Sequence, residues 1–215
     1  MNAVAARTFA QLCAKPAIAV PVVAFAIAGA VAENRLAQSG FSSWTAGGGL
    51  FAQGATVFNA YAATIAALGL RVLFGLAVTA ATAGIVNRMP LRILATRTLE
   101  TLAVLLLAGL AAAALAVPTF GISMLLFVPL SLFAVAIAAK DRRSAPEAIV
   151  DAIAIMARNA GPALVLAVGV LVCGIAGVFA ARLIPVPMAG ALIAWLVLEA
   201  ATACAAVAVA GTALC

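Results

Sequence analysis

Charged residues in this chain stand in small groups, and apolar runs of helical length lie between them. Lys15 and Glu33 bracket seventeen uncharged residues, PAIAVPVVAFAIAGAVA. At 1.5 Å per residue that run extends roughly 26 Å, enough for a hydrocarbon core of about 30 Å when the flanking charges snorkel. Its Ala30-Val31-Ala32 ending looks like a signal-peptidase site, but a retained first helix is the expectation. After the polar link ENRLAQSGFSSWTAGGG, Leu50, Phe51, Val57, Phe58, Tyr61 and Ile65 recur at helical intervals. This predicts an interfacial amphipathic helix over about 50–66, the competing reading being an N-terminal extension of the next span.

The second span is LGLRVLFGLAVTAATAGIV (68–86), followed by a basic surface segment with Arg88, Arg92 and Arg97. From Thr101 to Ala139 no charge appears over 39 residues, roughly 58 Å of helix or two crossings. The break falls at VPTFG (117–121), where Pro118 ends one helix and Gly121 permits a turn. Pro129 lies inside the resulting fourth span, where a kink is expected. Ser144 and Glu147 then form an S-x-x-E capping box with Pro146 in the first turn. Ala148, Ile149, Ala152, Ile153 and Met156 make one apolar stripe, with Asp151 and Arg158 away from it. Residues 144–158 are therefore a second amphipathic interfacial helix, closed by Asn159-Ala-Gly161-Pro162. The fifth span (163–181) and the sixth (about 187–210) are joined by LIPVP.

The expected fold class is thus all-α, a single transmembrane helical domain over 1–215 with six spans. Composition agrees, with 67% hydrophobic and only 8% charged residues and a mean hydropathy of +1.28. Soluble domains carry about 25% charge, so the bilayer is the solvent. An N-in, C-in topology leaves nine Lys and Arg on the cytoplasmic side, against Arg35, Arg71 and Arg182 outside. The net charge of +6 is what that asymmetry produces and gives no argument for nucleic acid.

Histidine is absent, which removes the commonest metal and haem ligand and the usual general base. The four cysteines (Cys13, Cys173, Cys204, Cys215) form no CxxC and read as small hydrophobes. No Walker loop, G-x-S-x-G, HExxH or metal-spaced cluster is present, so neither enzyme activity nor a cofactor is expected.

The candidate chemistry is one carboxylate. Glu199 lies in the middle of LIAWLVLEAATACAAVAVAG (192–211), near the bilayer midplane. An ionised carboxylate costs at least roughly 2.5–3.5 kcal/mol there, so it belongs on a packing face. Thr202, Ala203, Ala206 and Ala210 share that face, and small residues let a helix approach. Thr79 and Thr82 in the second span and Ser131 in the fourth lie at similar depth, with Arg71 about 10 Å higher. Glu199 is expected to be hydrogen-bonded, held protonated or paired with Arg71. Such an acid is either a proton or cation site or a polar tie fixing helix register. Gly169-Cys173-Gly177-Ala181 and Gly75-Thr79-Ala83 are small-residue stripes that predict close helix packing. Lys140, Arg142 and Arg143 suit anionic lipid headgroups, although topology alone also explains them.

The run LLFVPLSLFAVAIAAKDRRSAPEAIVDAIAIMARNAGPALVLAVGVL (125–171) joins a span, a charged turn, an S-x-x-E-A-I surface helix, A-R-N and another span. It resembles the six-helix membrane domain attached to some glycerophosphodiester phosphodiesterases and its stand-alone relatives. LCAKPAIAVPVVAFAIAG is similar to the start of that domain. The resemblance implies a fold without catalytic residues, since nothing corresponds to the hydrolytic domain.

The leading expectation is a non-enzymatic integral protein of a bacterial inner membrane that binds lipid or serves as accessory subunit of a larger membrane complex. Its expected partners are membrane lipids and other membrane subunits. The alternative is a small transporter or channel with Glu199, Thr79, Thr82 and Ser131 lining a midplane site.

Overall fold

The computed structural model describes residues 8, 10–38, 50–90, 92, 96, 99, 100, 103, 105, 106, 122–140 and 144–211. Within these helices the side chains of 36–38, 50–68, 122–125, 128, 139, 140, 182, 187 and 211 are excepted. A 3-10 turn at Pro16–Ile18 leads into α1 (Ala19–Gln38), followed by α2 (Leu50–Asn87) and α3 (Ile122–Lys140). After these come α4 (Ala145–Arg158), α5 (Ala160–Arg182) and α6 (Pro187–Gly211). Four segments are long and apolar enough to cross a membrane: Pro16–Arg35, Gly69–Asn87, Ala160–Ala181 and Met188–Ala210. A shorter apolar stretch, Pro129–Ala138, lies in α3. The expected third span and its VPTFG turn fall almost wholly outside the described residues.

Residues 50–66 are not a separate element. α2 is a single 38-residue helix, as the extension reading expected, and no break sets that segment apart from the span. α2 stops where Arg88 turns into the left-handed region at φ 53°. Met89 N–H returns to the Gly84 carbonyl at 3.0 Å and Arg88 N–H to Ile85 at 3.4 Å, a Schellman closure followed by Pro90. Lys15 Nζ donates to the Val86 carbonyl at 2.7 Å, placing a cation on the negative end of the helix dipole. The start of α1 is thereby fixed to the end of α2.

The capping box of α4 is present, with Ser144 N–H donating to Glu147 Oε2 at 2.9 Å. Ala148 and Ala152 are buried, and Ile149, Ile155 and Met156 join the cluster around Phe133, Val135 and Ala136 of α3. Ile153, expected on that stripe, instead lies with Val150 on an exposed face. The reason is register: the packed face centres on Ala148 and Ala152, and Ile153 stands about 100° round the helix from Ala152, past its edge. The expected four-residue break after α4 shrinks to Asn159, whose Nδ2 donates to the Ile155 carbonyl at 3.2 Å. α5 begins at Ala160 with Pro162 in its first turn, where no amide donor is needed.

α5 and α6 form the expected hairpin through 183–186. Gly177 lies against Ala194 and Val197 of α6, so that part of the small-residue stripe does permit close packing, whereas Gly169 faces open space. On its other side α5 exposes Leu164, Val168, Leu171, Ile175 and Phe179 at helical spacing. A continuous apolar stripe of this kind suits acyl chains rather than water.

α6 occupies the centre of the bundle. Its residues pack successively against α2 in the same direction: Trp195 with Leu70 and Phe74, Thr202 beside Gly75, and Val207 with Val78. α1 runs the opposite way, with Ala26 and Ala30 at Trp195 and Ile18 near Val207.

Two stability outcomes follow for detergent-solubilised protein. Arg88→Gly relieves the left-handed backbone and is expected to raise stability by roughly 1 kcal/mol, read as a higher unfolding midpoint. A Cβ at Gly190 would stand 2.6 Å from the Ala181 carbonyl oxygen. Gly190→Ala is expected to cost roughly 1–3 kcal/mol by overpacking, whereas Gly169→Ala is neutral or stabilising.

Candidate functional site

The polar groups of the bundle fall into three places. The first is a clasp that joins the last turns of α1 and the early turns of α6 to the middle of α2. Arg71 Nη2 donates to Glu33 Oε1 at 3.0 Å and Oε2 at 3.2 Å. Trp195 Nε1 donates to the same Glu33 Oε2 at 2.6 Å. The guanidinium carbon lies 5.6 Å from the centroid of the Trp195 ring, within cation–π range. Trp195 itself is buried, and Gly29 makes room for it: a Cβ there would overlap the indole. Phe25, Phe74 and Trp195 continue the contact as two tilted ring pairs, each with centroids 5.6 Å apart.

Of the two expectations for Glu199, protonation or pairing with Arg71, the second is not met, because Arg71 is bonded to Glu33. The Arg71 and Glu33 side chains keep 25% and 32% of their exposure, so the pair retains part of its hydration. Drawing the guanidinium into the apolar seam towards Glu199 would remove it.

The second place is Glu199. It is fully buried, and neither Oε1 nor Oε2 has a hydrogen-bond partner, contrary to the expected hydrogen-bonded acid. The cause lies in its neighbours. One turn towards the clasp, Trp195 packs among Ala26, Ala30 and Phe74; one turn the other way, Ala203 packs with Ile18 and Val78. The nearby hydroxyls are committed to their own helices: Thr79 Oγ1 donates to the Gly75 carbonyl at 2.7 Å and Thr202 Oγ1 to Leu198 at 2.9 Å. Thr82 is buried, with its Oγ1 also unpartnered.

The third place is a cavity of about 400 Å³ between α2, α3, α5 and α6. That volume lies within the range of small-molecule sites. Its walls are largely apolar, including Val72, Leu76, Phe127 and Leu132, with Arg71, Thr79, Ser131 and Thr202 as the polar groups. Leu171, Ile175 and Phe179 line it and are also exposed, so the cavity opens sideways through α5.

The expected midplane cluster is therefore divided. Arg71, Thr79 and Ser131 border the cavity, while Glu199 and Thr82 are not among its lining residues. The Lys140 side chain, Arg142 and Arg143 lie outside the described residues. No group of three or more His, Cys, Asp or Glu able to hold a metal occurs among the described residues. Glu33 and Trp195 were missed as site residues. The available signal was their pairing potential: opposite charges at the ends of consecutive spans, and a Trp one turn from Glu199.

No family model, curated protein or solved structure matches the chain. Its function is therefore to be read from its own residues.

Trp195→Phe keeps a ring but removes the donor to Glu33, and is expected to cost roughly 1.5–3 kcal/mol, the worth of a hydrogen bond to a charged group. Gly29→Ala should be far less harmful in a Trp195→Leu background than in wild type. A double-mutant cycle on unfolding midpoints is expected to give a coupling of roughly 1–3 kcal/mol.

Proposed function

We propose that this chain is a lipid-binding integral membrane protein without chemistry of its own. The observation that carries the reading is the laterally open cavity with an arginine on its wall. One phospholipid acyl chain enters between α3 and α5, and the phosphate lies at Arg71. A guanidinium offers five N–H donors, and Glu33 engages only Nη2. A planar cation with free donors beside an apolar slot is the complement of a phosphodiester on a hydrocarbon tail.

The charge asymmetry of the loops supports N-in, C-in placement in a bacterial inner membrane, with the Arg71 clasp in the outer leaflet. Lys140, Arg142 and Arg143 then stand at the opposite surface, where anionic headgroups attract them. The order of α3, α4 and α5, two apolar helices with a shorter helix between them, is compatible with the span, surface helix and span implied by the resemblance of residues 125–171 to the phosphodiesterase-associated membrane domain. The exposed stripe of α5 also suits an accessory role against another membrane subunit.

Native mass spectrometry of gently extracted protein tests the reading. Wild type is expected to carry one phospholipid. Gly75→Leu, which places a side chain in the cavity, should release it while preserving the fold. Arg71→Ala should weaken retention at least ten-fold in lipid titration. Wild type emerging bare, or Gly75→Leu retaining lipid equally, would sink the proposal, whereas a copurifying protein subunit would favour the accessory role.

A further inference from the structure

Glu199 is left unexplained by lipid binding. It is the fully buried acid of the α1–α2–α6 seam, and both of its oxygens lack a partner. A polar tie that fixed helix register would have to bond to something across the seam, and this carboxyl bonds to nothing there. We propose that Glu199 is a proton-exchange site, loaded and unloaded through the neighbouring cavity past Thr202.

The ligand class follows from space and donors. A metal cation needs several oxygen ligands, typically six or more for calcium. Thr79 and Thr202 direct their protons to carbonyls of their own helices, and the buried Thr82 hydroxyl makes no hydrogen bond, so no set of several oxygens is gathered around Glu199. Glu199 is not among the residues that line the cavity, so the cavity's polar groups do not converge on it as a ligand set. A proton needs no additional volume, and it neutralises an acid whose charge is strongly penalised in an apolar seam.

The route follows from the register of α6. Leu198 and Thr202 line the cavity, whereas Glu199, adjacent to one and a turn from the other, faces the seam. The Thr202 hydroxyl thus stands between the two spaces, with its oxygen still able to accept a hydrogen bond. Among the described residues the charged side chains nearest in the fold are engaged elsewhere. Lys15 is bound to the Val86 carbonyl at the far end of α1, and Glu33 and Arg71 hold each other in the clasp. Between Ile122 and Ala139, α3 has no titratable residue; α5 contributes Cys173 before Arg182, and α6 contributes Cys204. The inference uses the cavity as a space and not its proposed occupant, so either reading can fail without the other.

Full-length protein in liposomes is treated with dicyclohexylcarbodiimide between pH 5 and 9. The protonated carboxyl adds across one C=N bond: its proton goes to nitrogen and its oxygen to the central carbon. The resulting acylisourea rearranges to a stable N-acylurea, read by peptide mass spectrometry. The expected result is an adduct on Glu199, falling at least ten-fold as pH rises and absent in Glu199→Gln. Thr202→Val, which keeps the shape but loses the hydroxyl, should slow labelling at least five-fold with an unchanged unfolding midpoint. No adduct on wild-type Glu199 at any pH, or an extent independent of pH, would show a sealed acid and overturn the proposal. Wild-type labelling kinetics in Thr202→Val would overturn the route.

Discussion

The bundle depends on an indole occupying the place of a missing side chain. Trp195 fits where Gly29 has only hydrogen, and that fit brings α1 and α6 close enough for the indole nitrogen to reach Glu33. Glu33 in turn holds Arg71, so three helices share one carboxylate. In a bilayer, lipid tails are as apolar as leucine, and helix association relies on close packing and polar ties rather than on hydrophobic expulsion. Here both occur at one point. The packing contact sets the geometry and the hydrogen bonds give it direction. The Lys15 contact to the Val86 carbonyl does the corresponding work at the other end of α1.

α6 carries two different surfaces as a result. Trp195, Ala203 and Val207 close a dry seam with α1 and α2, whereas Leu198 and Thr202 face the cavity towards α3 and α5. Glu199 lies on the closed side and Arg71 reaches both, being tied to Glu33 while lining the cavity. Leu171, Ile175 and Phe179 of α5 both line the cavity and reach its outer surface.

Features encoded over a few residues were legible in the sequence. Ser144 and Glu147 mark the start of α4, and the short proline-bearing link 183–186 makes α5 and α6 neighbours. The apolar lengths give the spans of α1, α2, α5 and α6. The burial of Glu199, Thr79, Thr82 and Ser131 could also be anticipated from depth alone. Partnership could not. Trp195 and Glu33 are separated by 162 positions, and no periodicity states which of several small-residue faces a helix will choose. The partner of Arg71 was open for that reason: Glu199 was one candidate although it lies about 10 Å deeper, and helix order instead placed Glu33 within reach at a wetter level. The continuity of α2 was ambiguous because an aromatic, half-polar stretch suits an interface and a helix extension equally.

The order of synthesis gives the central position of α6 a further meaning. It is the last described helix to leave the ribosome, yet α1, α2, α3 and α5 all lean on it. Before it arrives, the notch at Gly29 stands open, Glu33 has Arg71 alone, and α5 has little to pack against. The short link delivers α6 together with α5 as one inserted hairpin. A nascent chain that has not yet inserted α6 would sit in the bilayer with an unfilled groove and a half-satisfied ion pair. Quality-control proteases act on such partly assembled states, so the arrival of α6 also sets when the α1–α2 groove stops being a target for them.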